Sequence, residues 1–383
     1  MNSLEILEKL VAFPVIAGMP NLEIIGFVQH ELRRFGIEPE IIPDDTGTKA
    51  NLFATVGPPD GEAGVIISGH SDVVSVAGQD WSSNPFKLVR KRDKLYARGA
   101  ADMKGFVACA IAATCRATRT KLKSPLHFAL SYDEELGCIG AGPFMDFLAE
   151  KKLNASYCIV GEPTSMAVAI GHKGKTALRA LCRGRECHSS RAPNSVNAIH
   201  LACELIAVIR RKQKRLQSEG CRDDGYEIPY STLHVGKIEG GTAVNIVPNL
   251  CVVDFELRSL AGEDTKGILD EIRAGADRIA KKSNFPEAMI EIEEGVSYPG
   301  LDTLPSSTAV RLAKELSDSS VLKKVDFGTE GGLFSQRLGL PTVICGPGSM
   351  DQGHGPDEYV EVSQLRKCDD MLDALTARLK AGQ

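Results

Sequence analysis

The sequence predicts an α/β protein whose mostly parallel, helix-flanked sheet is interrupted by a smaller α+β module. Strand-like and helix-like segments alternate from the start to residue 175. Between residues 176 and 293 the order changes to β-α-β-β-α-β, the order of a ferredoxin-like sandwich. Alternation then resumes to the end. The expected division is therefore a discontinuous domain, 1–175 with 294–383, and an inserted domain, 176–293.

The elements can be justified in order. MNSLEILEKLVAF is an amphipathic helix pattern that carries Glu5, Glu8 and Lys9. GVIISGH, LHFALSYDEE and SYCIVGEP are apolar strand-like runs, each passing into a loop punctuated by Gly or Pro. KGFVACAIAATCRA reads as a helix beginning just after Asp102. In the insert, TALRALCRG, STLHVGKIEG, NLCVVDFELRS and AMIEIEE read as strands, with helices over about 194–216 and 264–282. After Tyr298-Pro299-Gly300 come a helix, the strand LKKVDF, a short helix and the apolar strand PTVICG. Because the chain then reaches His354, the last segment is expected to rejoin the first domain.

Composition narrows the classes. A chain of 383 residues favours two domains, and 43% hydrophobic with 25% charged residues is ordinary for a globular protein. A net charge of −5 gives no electrostatic footprint for nucleic acid. The run RRKQKR at 210–215 reads as the solvated face of a helix. Eleven cysteines, odd in number and without CxxC spacing, read as free thiols of a reducing compartment. With no signal-peptide pattern and no apolar run of membrane-spanning length, cytoplasmic residence and no membrane partner are expected.

Six acidic or imidazole groups stand just past the ends of these runs: His70 and Asp72 in GHSDVV, Glu134 and Glu135 in SYDEELG, Glu162 in VGEPT, and His354 in GPGSMDQGHGPDE. Asp102 in ARGAADMKG joins them. Carboxyl ends of parallel strands are where an open α/β sheet gathers a ligand site. Imidazole and carboxylate without thiolate suit two divalent ions, zinc, cobalt or manganese, in a catalytic setting. Two such ions need one bridging carboxylate and separate terminal ligands. Asp102 is the expected bridge, with His70 and Glu162 on one ion and Glu135 and His354 on the other. Asp72 is expected to orient the His70 imidazole through its second nitrogen. Glu134, adjacent to a ligand but turned away from it, is the expected proton shuttle for hydrolysis of an amide. His30, His127, His200 and His234 lack such surroundings and read as structural.

GHSDVV, ARGAADMKG, DEELG and GEPT, in that order, resemble the M20 family of co-catalytic metallopeptidases and deacylases, over essentially the whole chain. The resemblance implies a di-metal catalytic domain, an inserted lid that makes a homodimer, and a cis peptide at Asp102-Met103. GHKGKTALR, RGRECHSS, DFGTEGGLF and GPGSMDQGHGPDEY are similar to the acetylornithine deacetylase branch. That likeness implies N2-acetyl-L-ornithine as substrate and ornithine plus acetate as products, in arginine biosynthesis. Succinyl-diaminopimelate desuccinylases and other M20 deacylases or dipeptidases are the alternatives, with a metal-binding scaffold as the non-enzyme one. The resemblance further implies that His188 stabilises an oxyanion in a neighbouring subunit's site, and that Asn245 and Arg258 hold substrate. Thr329 and Glu330 are expected on the cleft, with Glu330 selecting a cationic side chain.

Overall fold

The computed structural model describes residues 2–382. The chain divides into two compact units. One comprises the chain up to Gly171, Leu301–Val325 and the chain from Thr329 onward; the other comprises His172–Gly300 and Asp326–Gly328.

The first unit is built on a mixed sheet. Its strands run in the order Glu40–Pro43, Ala50–Val56, Leu126–Ser131, Gly64–His70, Ala155–Val160, Thr342–Ile344, Val168–His172 and Leu301–Asp302. The stretch from Leu126–Ser131 to Thr342–Ile344 is parallel. Both flanks continue antiparallel. The expected mostly parallel sheet is thus confined to the centre. The reason is connection length: only a short turn separates Glu40–Pro43 from Ala50–Val56, too little chain for a parallel crossover.

Helix Lys104–Ala117 packs on strands Gly64–His70 and Leu126–Ser131 and against helices Ser3–Val11 and Val362–Ala381. Residues 104–115 are all buried, so this helix is apolar on every side and central to the core. Helix Ser3–Val11 starts with a capping box between Asn2 and Glu5. At the point where the second unit interrupts the first, the Thr303 N–H donates to the Ile170 carbonyl at 2.8 Å.

The second unit is a four-stranded antiparallel sheet with two helices. Its strands are Gly174–Arg183, Thr232–Gly240, Leu250–Ser259 and Met289–Tyr298, and they lie in the spatial order second, third, first, fourth. This is the ferredoxin-like arrangement. Leu178, Ala180 and Cys182 turn inward beneath helices Ala198–Glu219 and Thr265–Lys282, while Arg179 and Arg183 face outward. The first helix begins at Ala198 rather than 194. Asn197 caps it, accepting from the Ile199 and His200 amides, and 189–194 forms a 3-10 turn containing Pro193. Within RRKQKR, Lys212 and Arg215 pair with Glu271 of the neighbouring helix at 2.8 and 3.2 Å.

Candidate metal centre

Strand register explains why distant residues meet. In the parallel centre of the sheet His70 lies beside Ser131, and Ser68 beside Val160. The three strands therefore end together, and the loops carrying His70, Glu134-Glu135 and Glu162 open at one edge. Gly161 lets the last of these turn: a Cβ there would lie 2.0 Å from the Phe106 ring. Asp102 arrives from the start of helix Lys104–Ala117, with its peptide bond to Met103 cis, as the resemblance implies.

Two three-residue groups result: His70, Asp102 and Glu162, and Asp102, Glu135 and His354. Asp102 belongs to both. Its Oδ1 lies 3.2 Å from His70 Nε2 and its Oδ2 lies 3.1 Å from His354 Nε2. Glu162 Oε1 is 3.6 Å from the His70 nitrogen, and Glu135 Oε2 is 3.1 Å from the His354 nitrogen. Each imidazole thus turns one nitrogen and two carboxylates toward a common point.

The residues fit a pair of cations. Asp72, Asp102, Glu134 and Glu162 are buried beside Glu135, and the basic groups that act on these carboxylates include His70, His354 and Lys104. Glu135 Oε1 is buried without a hydrogen-bond partner. Burial pushes the carboxyls of Glu134 and Glu162 well above the usual range, against the pull of His70. Glu135 is raised by burial and by the Asp102 charge. Asp102 is held low despite its burial, because His354 and His70 both donate to it. The Asp102 and Glu135 carboxylates push His354 up to about 10. Such a crowd of buried carboxyl groups, with Glu135 Oε1 unpartnered, calls for positive charge at the two focal points.

The second nitrogen of His70 contacts Asp72, but mainly its backbone. Nδ1 is 3.0 Å from the Asp72 carbonyl and 3.6 Å from Oδ1. The carboxylate instead accepts the amides of Glu134 and Glu135, each at 3.2 Å. Glu134 belongs to neither ligand group found among the described residues; its Oε1 accepts from the Cys138 thiol at 3.4 Å.

Glu330, expected on the cleft, is only 1% exposed. Its carboxylate accepts from Ser68 Oγ at 3.1 Å and from Ser131 Oγ. Ser68 and His70 are two apart on one strand and share a sheet face, so Glu330 sits beneath the metal ligands. Thr329 is also buried, its hydroxyl oxygen accepting the Gly331 amide at 2.9 Å.

In the second unit, His188 and Asn245 are brought together and Arg258 is not. His188 pairs with Ile246 across a two-residue ladder, and the Ser189 amide donates to the Asn245 carbonyl at 2.9 Å. Both side chains belong to exposed residues. Arg258 stands at the far end of strand Leu250–Ser259, about 25 Å along it. There it donates to Glu256 Oε1 and to the Tyr298 hydroxyl, each at 3.1 Å. A concavity of about 660 Å³ on the open sheet face is lined by Arg179, Asp254, Glu256 and Glu293 but brings no ligand group together.

Sequence reading missed Arg98 and Glu358, a fully buried ion pair at 2.8 Å beside Asp102. The signal was available. Both charges stand within a few positions of a ligand, in ARGAAD and HGPDE.

Fold and centre together define a metallohydrolase working with a pair of metal ions. Residues 66–378 match Peptidase family M20/M25/M40, and the chain belongs to that family. It is 32% identical over 343 residues to an acetylornithine deacetylase of Aliivibrio fischeri (strain ATCC 700601 / ES114), covering 90% of this chain and 88% of that protein. An acetylornithine deacetylase of Pasteurella multocida (strain Pm70) is 29% identical over 386 residues, covering 99% and 98%. Among solved structures, the M20 family metallo-carboxypeptidase Sso-CP2 from Sulfolobus solfataricus superposes with a TM-score of 0.79 at 18% identity, covering 100% of both chains. Among the described residues no helix is long and apolar enough to cross a membrane.

Proposed function

We propose that the protein removes the acyl group from an N-acyl amino acid, with N2-acetyl-L-ornithine as substrate and ornithine and acetate as products. The observation that carries the chemistry is Asp102: each of its oxygens faces a different imidazole, while the adjacent Glu134 is left without a ligand role. The relatives named acetylornithine deacetylase support the substrate.

His70, Asp102 and Glu162 would hold one ion, and Asp102, Glu135 and His354 the other; zinc suits the imidazole–carboxylate set, with cobalt or manganese as substitutes. When bound, the metal pair makes water acidic and polarises the scissile carbonyl. Glu134 takes the proton of the attacking water and delivers it to the leaving amine nitrogen. Asp72 holds the Glu134 and Glu135 backbone so that one carboxylate serves the metals and its neighbour the proton.

In this reading His172–Gly300 is the lid and makes a homodimer. His188 and Asn245 at one end and Arg258 at the other serve the active sites of different subunits, His188 donating to the oxyanion and Arg258 forking onto the substrate carboxylate. The free state of all eleven cysteines accords with a cytoplasmic setting in arginine biosynthesis.

The deciding experiment compares kcat/KM of zinc-loaded protein on acetyl-ornithine, succinyl-diaminopimelate, acetyl-citrulline and dipeptides, each repeated in strong chelator. Acetyl-ornithine is expected to be turned over fastest, and chelator to abolish turnover while far-UV circular dichroism stays native. A faster competitor overturns the substrate. Turnover unchanged by chelator overturns the metal chemistry.

A further inference from the structure

The loop carrying Asp102 has few backbone partners of its own. Residues 97–103 form neither helix nor strand, so their amides must be satisfied from elsewhere. One carboxylate accepts three of them, those of Gly99, Ala101 and Asp102, while Ala97, Arg98 and Ala100 donate to main-chain carbonyls. Glu358 Oε1 accepts the amides of Ala101 at 2.8 Å and Asp102 at 3.0 Å. Its Oε2 accepts the Gly99 amide at 3.0 Å and Arg98 Nη1 at 2.8 Å. With four donors on two oxygens, the acceptor capacity of the group is filled.

The connection continues to the other side of the centre. Arg98 Nη2 donates to Gln79 Oε1 at 2.6 Å and reaches the His354 carbonyl at 3.4 Å. Gln79 Nε2 donates to the same carbonyl at 2.7 Å. The guanidinium also faces the Trp81 ring, 5.0 Å from its centroid. A buried carboxylate therefore grips the main chain of Asp102 and, through Arg98 and Gln79, the main chain of His354. The side chains of those two residues meet at 3.1 Å.

We propose that Glu358 is a positioning residue for the metal pair: it fixes Asp102 as the shared ligand and, through Arg98 and Gln79, sets His354 against it. The inference rests on the metal reading above. A carboxylate is required because every group facing it is a donor. The amide of Gln would turn an N–H toward a backbone N–H. Partners of this kind typically contribute about 10–100-fold to metal affinity.

The test is zinc affinity, measured on apoprotein in competition with a chromophoric chelator, with circular dichroism as the fold check. Wild type is expected to take up two ions. Glu358→Gln is expected to lose about 10–100-fold in affinity for the ion shared with His354. Gln79→Ala, at a partly exposed link, is expected to weaken that same ion and spare the other; it decides the question if Glu358→Gln does not fold. Thr303→Val removes a buried hydrogen bond to the Thr342 carbonyl away from the centre and is expected to lower the melting temperature without changing zinc affinity. Unchanged affinity in a folded Glu358→Gln, or an equal loss in Thr303→Val, overturns the positioning role. A wild type that takes up no zinc overturns the metal reading, and this inference with it.

Discussion

Asp72 holds His70 through its main-chain carbonyl, at 3.0 Å from Nδ1, and thereby frees both carboxylate oxygens for the amides of Glu134 and Glu135. One residue thus orients an imidazole on one strand end and a pair of glutamates on the next. A neutral imidazole that donates from Nδ1 presents Nε2 as an electron pair to a metal.

Asp72→Asn keeps the carbonyl and disturbs only the glutamates. The expected result is a fall in kcat of about 10–100-fold with a smaller change in KM. Steady-state kinetics at saturating zinc checks it, and kinetics equal to wild type would show that the glutamates need no such hold.

Glu134→Gln should leave both ions bound, because Glu134 belongs to neither ligand group found among the described residues. Its kcat is expected to fall by about 10²–10⁴-fold, the usual contribution of a positioned proton carrier. Metal analysis alongside turnover checks the pair of outcomes. Loss of an ion together with activity would make Glu134 a ligand instead.

Glu330 predicts a pH effect on stability. Burial lifts its carboxyl to about 7, against the hydrogen bond from Ser131, from an ordinary value of 4.5. A raised carboxyl means that the folded state binds the extra proton, so this group's contribution is full below 4.5 and is lost as pH rises toward 7. Relative to Glu330→Gln, wild-type apoprotein should therefore lose stability between those limits and stay at a constant disadvantage above them. Urea unfolding of both proteins across that range checks the sign. A difference that does not vary with pH would place the titration elsewhere.

His188→Ala should reduce turnover far more than stability, because the residue is exposed and its ring hydrogen-bonds to the neighbouring Ser190. Losing one oxyanion donor costs about 2.7–4 kcal/mol in the transition state. Mixing His188→Ala with Glu134→Ala chains should restore some activity through hybrid dimers. Mixtures that stay inactive after verified subunit exchange would place the donor in the same chain.

How much of this was legible from residues alone differs by distance along the chain. His70, Glu134, Glu135 and Glu162 announce themselves because they closely follow apolar runs, and parallel strands that end together must bring their loops together. The ferredoxin-like order was equally plain, since its signal is periodicity within single segments. The partners of Glu330 were not legible, because a carboxylate after a strand looks the same whether it turns to solvent or slides under the sheet. Only Ser68 and Ser131, far away in sequence, decide that. Glu358 was harder to read because three of its four donors are backbone amides, which carry no side-chain signature, and only its place near His354 and the charge of Arg98 near Asp102 hinted at it.

The hydrogen bond from Thr303 to Ile170 means that the chain leaves the first unit and returns to it at nearly the same place. The intervening segment is a cassette. A splice of a few residues between those two positions would close the first unit's chain without stretching it, since neighbouring strands are already paired there. The same geometry lets the cassette be lengthened, trimmed or exchanged while the strands behind the ligands keep their register. Changes can thus accumulate in the inserted segment while the two ligand groups, all of whose residues lie in the first unit, are inherited intact.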